Sequence, residues 1–507
     1  MPNTTCAAPT LAATEPASVR PHVAFTPVTF LLLLLLTVAA VLVHGYHPEV
    51  EDAEIYLPGI KQALNPHLYP HNQAFFASHA HLTLFPNLIA ASVRLSHVSL
   101  DYAVLAWHLL SVFLLLLACW QIARLCFASP RARWGAAAMV AALLTIPVAG
   151  TRLYMMDQYP NPRSLSAPML LLAIVSAVEH KWIRAGLWVA LTALIHPLMV
   201  VFGFAYVLLV IALERREKLS IAACLFLPLR LFPPVTDAYR EILNTRGYFF
   251  LLRWEWYEWL GILGPIVLLW WYRGLAGGHE LPRLKLMSSA LILFELLFFA
   301  AALALTIPPR FANLAELQPM RSLHLVYILL FALGGGLLAE FVLRDKIWRW
   351  LLLFVPLCLG MWYAQRQLFP ATSHLELPWT RTRNDWVQAF LWIRHNTPVD
   401  AYFALNPRHM GLPGEDQHGF RALAERSMLA DAIKDSGAVS MFPRLAEEWQ
   451  RQVRAQEGWY SFQVADFQKL GQRFGVDWVI VEHPVAGMDC PYRNSTVLVC
   501  RIPAKLY

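Results

Sequence analysis

Charge is what this sequence has least of: Asp, Glu, Lys and Arg make up 15% of its 507 residues, against 57% hydrophobic residues. Water-soluble domains carry roughly 25% charged residues, so most of this chain has to be hidden in lipid. Disorder, fibrous structure and a one-helix anchor are excluded by the same balance. Short internal repeats are missing, and low complexity does not extend beyond the first 25 residues. No Lys/Arg block with interleaved aromatics appears, so the net charge of +7 is not a nucleic-acid footprint. Cysteines are sparse and mostly solitary: Cys6, Cys119, Cys126, Cys224 and Cys358 stand alone. Only Cys490 and Cys500 lie close together, where an oxidising compartment would let them pair.

The charge that is present is unevenly placed. Residues 366–507 hold 16 Lys+Arg and 15 Asp+Glu, so six of the seven net positive charges belong to the first 365 residues. The chain therefore divides into a cytoplasmic segment 1–25, a membrane domain 26–365 with an external loop 45–100, and a water-soluble domain 366–507. Apolar stretches near 26–44, 101–122, 134–149, 165–179, 182–197, 198–213, 219–234, 258–272, 287–307, 322–343 and 348–364 predict about eleven transmembrane helices. Residues 1–25 are long and Pro-rich, which speaks against a cleaved signal. Short loops rich in Lys and Arg, such as Arg131–Arg133 and Arg215–Lys218, read as cytoplasmic. An odd number of spans then places residues 366–507 outside, as in a bacterial periplasm. Pro197 divides the apolar run 182–213 into a hairpin. Residues 82–99, interrupted by Pro86, Asn87, Arg94 and His97, read as a helix lying on the membrane. In the tail, helices are expected at Trp386–His395, Phe420–Lys434, Arg444–Arg454 and Asp466–Phe474. Strands are expected at Ala401–Leu405, Val476–Val481 and Thr496–Cys500, which together make a small α/β domain.

Chemistry gathers after the first span, where Glu49, Glu51, Asp52 and Glu54 place four carboxylates within six residues. Desolvation raises the pKa of such a group and a nearby cation lowers it, which is how a general base is set up. A solvated acidic loop is the plain alternative. On the same side of the membrane stand Arg152, Arg163, Arg246, Arg310 and Arg321. A guanidinium grips phosphate through two parallel hydrogen bonds and stays charged in a low dielectric, although a boundary arginine can also simply snorkel. Arg321 sits where a loop enters a span. His196, at an outer turn, could line a pocket, and Asp157 adds one more acid. Trp256, in the run Trp254–Trp259, offers a face for a sugar ring or a member of an interfacial aromatic belt. His79 and His81 have no accompanying Cys and read as polar residues at a wet interface rather than a metal site.

In layout these features resemble the GT-C superfamily of membrane glycosyltransferases. In that family a long external loop after the first span carries an acidic pair, including the catalytic carboxylate, and helices lying on the membrane surface. Here Glu51-Asp52 stands in the place of the pair, in the order Glu-Asp where several branches have Asp-Glu, and residues 82–99 stand in the place of a surface helix. Pro162-Arg163, Ala193–Pro197, Asn396–Ala401 and Phe474–Val479 are similar to patterns in bacterial members of uncertain substrate. The resemblance implies a polytopic α-helical membrane protein of the inner membrane. It would move a sugar, with inversion, from a polyprenyl-phosphate carrier to a glycan, lipid or protein acceptor at the periplasmic face. Asp52 is the implied base and Glu51 the second choice; Arg163, Arg321, His196, Glu54, Asp157 and Trp256 are the implied substrate-binding residues. A divalent metal is left open, with no ligand assigned to it, and the lipid-linked donor is a substrate rather than a cofactor. The alternatives are a transporter or lipid-handling protein, and a GT-C-shaped scaffold without catalysis. Mid-span charge is scarce, with Glu295 the main exception, which argues against transport.

Overall fold

The computed structural model describes residues 25–215 and 236–503. Seven helices in it are long and apolar enough to cross a membrane: Pro27–His44, Leu100–Cys126, Pro197–Arg215, Trp256–Gly278, Pro282–Thr306, Leu314–Leu343 and Ile347–Leu368. Two shorter apolar helices, Pro162–Val178 and Trp182–Ile195, accompany them. The expected span at 134–149 is instead a 13-residue helix, Pro130–Ala142, that Ser129 caps at its start. Beyond it the chain turns back through a bridge between Pro147 and Tyr154, so the apolar run ends short of a membrane's width. The expected span at 219–234 lies outside the described residues.

Helix Pro162–Val178 is the centre of the bundle, buried along almost its whole length. Pro130–Ala142 crosses the Leu314–Leu343 segment at Gly135 and Gly335, so closely that a Cβ on either would overlap the other's backbone. Small residues at such crossings let transmembrane backbones approach, and dispersion then holds them together. At the periphery, Ile347–Leu368 buries only Gln365 and turns Leu351, Leu352, Leu359 and Trp362 outward. A helix that is apolar on its open side belongs against lipid. The first loop forms three helices, Ala53–Leu64, Ala74–Ala80 and Phe85–Ser96. The last of them buries Phe85 and Ile89 but leaves Leu95 exposed, the one-sided pattern expected for 82–99.

The C-terminal region carries a five-stranded sheet, with β1 Tyr402–Leu405, β2 Ser427–Met428, β3 Trp478–Val481, β4 Asp489–Arg493 and β5 Leu498–Arg501. Its order is β2-β1-β3-β5-β4; the pairs of β1 are parallel and the remaining pairs antiparallel. Side chains alternate across it, as a two-residue period requires. Phe403, Leu405, Trp478 and Ile480 meet helix Asp385–Asn396 on one face, while Ala404, Val479 and Val481 meet helix Val464–Phe474 on the other. Cys490 and Cys500 form a disulfide between β4 and β5. The expected helix Phe420–Lys434 is broken. It stops at Ala424, gives way to β2, and resumes as Asp435–Met441. The cause is local competition: the Asp431 carboxylate accepts from the backbone N–H groups of Ile433 and Lys434, bonds that a continuous helix would send to carbonyls.

The first loop and the C-terminal region are stitched together through their backbones. Tyr46 N–H donates to His374 O, Glu376 N–H to Tyr46 O, Glu51 N–H to Gln417 O, and Gly419 N–H to Glu49 O.

Candidate active site

The segment Tyr46–Asp52 runs between these partners and then starts a helix. Glu51 adopts a left-handed backbone with φ of 55°, which aims the first turn of Ala53–Leu64 into the protein. Non-glycine residues in that region are strained and cluster at functional sites. Asp52 occupies the N-cap position of the helix but makes no capping hydrogen bond, so its carboxylate is free for other partners. A second left-handed residue, Gln318, precedes the short turn Pro319–Ser322 that delivers Arg321. Arg163 lies in the first turn of Pro162–Val178, where Pro162 and the Asn161 cap fix the helix start. His196 stands at the break between Trp182–Ile195 and Pro197–Arg215.

These elements enclose a cavity of about 400 Å³. Asp52, Arg163, His196 and Arg321 all line it. The C-terminal region closes one wall with Lys434, Gly437, Ser440 and Met441. Apolar residues, among them Leu82, Leu198 and Val201, form the side toward the helices, and Val201 is also exposed on the outer surface of its helix.

The polar contacts are unequal. Lys434 Nζ donates to Asp52 Oδ1 at 3.1 Å and also to Glu51. Arg163 donates to Asp157, whose carboxylate also accepts from Asn161 Nδ2 at 2.6 Å. Arg246 is spent on Ile433 O and Ser436 Oγ. Arg321 has no side-chain hydrogen bond or ion pair among the described residues, and Nε of both Arg163 and Arg321 is buried without a partner. Burial raises the Asp52 carboxyl, but Lys434 and Arg163 outweigh it and hold the group well below the ordinary carboxylate range. His79 is pushed down to about 4 by burial, so at neutral pH its ring is uncharged and shares a 3.0 Å hydrogen bond with the Tyr56 hydroxyl.

The other expected site residues lie elsewhere. Asp157 stands behind Arg163, outside the cavity wall, and Glu51 is turned onto Lys434. Glu54 is fully buried and accepts from the backbone N–H groups of Arg421 at 3.0 Å and Ala422 at 2.9 Å, a structural tie rather than a pocket wall. Trp256 does not line the cavity; it is 75% exposed at the start of Trp256–Gly278, as an interfacial aromatic would be. Sequence reasoning missed Lys434, Tyr56 and Tyr248. For Lys434 the only local signal is the surrounding Asp431-Ala432-Ile433-Lys434-Asp435 charge cluster, which says nothing of Asp52, 382 positions away.

The donor set does not suit a metal as it stands. Asp52 and Asp157 are each turned onto a cation, and among the described residues no three His, Cys, Asp or Glu side chains converge as ligands. What the arrangement offers is one carboxylate, Asp52, and one guanidinium without a hydrogen bond or ion pair among the described residues, Arg321, at the edge of an apolar wall.

No family model matches the chain, and no curated protein matches it. Among solved structures it is similar to an oligosaccharyltransferase of Archaeoglobus fulgidus in the apo form, at 14% identity and a TM-score of 0.47, over 90% of this chain and 70% of that one. At that level no residue role passes from one protein to the other.

Proposed function

We propose that the cavity is the active site of a GT-C-type glycosyltransferase that takes a sugar from a polyprenyl-phosphate carrier at the periplasmic face of a bacterial inner membrane. One observation carries the reading: Asp52 shares a single cavity with Arg321, whose side chain has no hydrogen bond or ion pair among the described residues, beside a wall of Leu82, Leu198 and Val201. A charge taken out of water needs a partner, and a phosphate suits a planar guanidinium. The apolar wall suits a prenyl chain.

In the reaction, the acceptor hydroxyl oxygen attacks the anomeric carbon from the side opposite the phosphate. The carbon–oxygen bond to the phosphate breaks and its electron pair leaves with the carrier. Asp52 takes the hydroxyl proton, and Arg321 and Arg163 stabilise the charge that gathers on the departing phosphate. Inversion at the anomeric carbon follows from a single displacement.

Native mass spectrometry of the detergent-purified chain with undecaprenyl phosphate, against undecaprenol and neutral phospholipid, tests the reading. Selective retention of the phosphate lipid is expected, weakened at least tenfold in Arg321→Ala and less in Arg163→Ala, whose guanidinium is shared with Asp157. Equal retention of all three lipids would turn the reading toward a transporter or scaffold.

A further inference from the structure

We propose that Lys434 is an exchangeable counter-ion, paired with Asp52 in the structure described above and transferred to the phosphate of the lipid-linked donor when that binds. The inference rests on the reading of the cavity as a phosphate-binding active site.

Its first support is geometric. Lys434 Nζ lies 3.1 Å from Asp52 Oδ1 and also bonds Glu51, with the Lys434 side chain 11% exposed and that of Asp52 38% exposed. The ammonium therefore sits inside the cavity wall, on the very carboxylate that faces the lumen. An ammonium has three donors and no fixed plane, so it can pass from one oxygen acceptor to another by rotation of its four-carbon stem.

The second support is that only the side chain is free to move. Asp431 holds the backbone N–H groups of Ile433 at 2.6 Å and Lys434 at 2.5 Å, and Arg246 holds Ile433 O and Ser436 Oγ. Gly437 lets Arg246 come this close, since a Cβ there would stand 3.0 Å from its Nη2. The loop is thus a rigid mount for a flexible cation.

The third is the charge balance of the lining. Arg163, Arg246, Arg321 and Lys434 face it, and Asp52 is the one carboxylate among the lining residues. Arg163 and Arg246 have other partners, and Arg321 has none to give up. Lys434 is the cation whose transfer changes the chemistry, because it uncovers the proposed base. A carboxylate held by an ammonium is a weak proton acceptor, and the low pKa of Asp52 agrees with that. Once Lys434 leaves, one of the cations that hold the group down is gone, and the carboxylate becomes a better proton acceptor. Donor binding would thus switch the base on, and the C-terminal region would report the donor to the membrane domain.

The test is a native mass spectrometry titration of the full chain with undecaprenyl phosphate. It compares wild type, Lys434→Gln, Lys434→Arg, Asp52→Asn and the double variant Asp52→Asn with Lys434→Gln. Lys434→Gln is expected to weaken binding about tenfold, as loss of one charge-assisted contact does, and Lys434→Arg to restore it to within threefold. Asp52→Asn is expected to tighten binding, and by at least threefold more when Lys434 is present than in the Lys434→Gln background, because it removes one of the two acids that hold the ammonium as well as a repulsion. Unchanged binding in Lys434→Gln, or an equal gain from Asp52→Asn in both backgrounds, would overturn the exchange and leave the function standing. Failure of wild type to prefer the phosphate lipid would overturn the function and the exchange with it.

Discussion

At the scale of single residues, one buried group of charges between the first loop and the C-terminal region makes a pH prediction. Glu376 bonds His47 Nδ1 at 2.8 Å and His418 Nε2 at 3.1 Å, and His418 also shares a 2.8 Å bond with Glu415 O. Burial opposes a charged ring, but Glu376 outweighs it and lifts His418 to about 10. Burial likewise opposes the Glu376 carboxylate, and His418 outweighs it and brings the group down to about 2. An unfolded histidine titrates near 6.5, so the stability from the raised pKa of His418 is complete below that pH and is lost as pH rises toward 10. Glu376 contributes fully above about 4.5 and loses that contribution as pH falls toward 2. Thermal unfolding in detergent should therefore give a plateau of Tm between about pH 5 and 6.5. Glu376→Gln should flatten the alkaline slope and cost roughly 3–5 kcal/mol at pH 6, the usual cost of breaking a buried pair. A Glu376→Gln profile parallel to wild type would show that the pair does not titrate as described.

At the scale of elements, what decides the fold is how closely the helices approach. The crossing of Pro130–Ala142 with Leu314–Leu343 has no room at Gly135 or Gly335 for even one added carbon. Backbone lies on both sides, so neither can yield by a rotamer change. Gly335→Val should cost at least roughly 1–3 kcal/mol, the typical penalty of overpacking, and lower Tm by several degrees. The exposed Gly360, with nothing within reach of an added Cβ, should accept valine with little change; equal losses at the two positions would assign the cost to helix propensity instead. Elements also show where local pattern misleads. Residues 420–434 carry a helical periodicity, but Asp431 and the pairing of β2 with β1 claim the backbone that the helix would use.

At the scale of the whole molecule, the first loop and the C-terminal region behave as one body. Glu54 is the central tie, since its two oxygens satisfy the N–H groups of Arg421 and Ala422 while Arg421 reaches Asp435 at 2.8 Å. Burial pushes Glu54 up to about 8, against the pull of the Arg421 guanidinium and of the two N–H groups it accepts from. Glu54→Ala would orphan both N–H groups at roughly 1–3 kcal/mol each. Limited proteolysis should then cut near residues 366–380 at a rate well above wild type, and phosphate-lipid retention should fall because Lys434 leaves the cavity wall. Unchanged cleavage would mean that the backbone bonds around Tyr46 and Gln417 hold the two regions together without Glu54.

The sequence by itself determined most of the apolar helices, the one-sided helix of the first loop, the strands of the C-terminal sheet and the acidic cluster at residues 49–54, because periodicity and composition are local properties. It also brought Asp52, Arg163, His196 and Arg321 forward, since polar residues next to apolar spans stand out against so little charge. Which of the four acids faces the cavity was a tertiary decision. Glu51 and Asp52 are neighbours in the chain, yet a left-handed turn at Glu51 sends only Asp52 to the cavity wall, and the packing of Arg421 and Ala422 takes Glu54 away from it. The fate of the cations was decided the same way: Asp157 pairs with Arg163, no described acid forms an ion pair with Arg321, and Lys434 arrives from a fold unit hundreds of residues later. Counter-charges are set by distance in space, and a sequence records only distance along the chain.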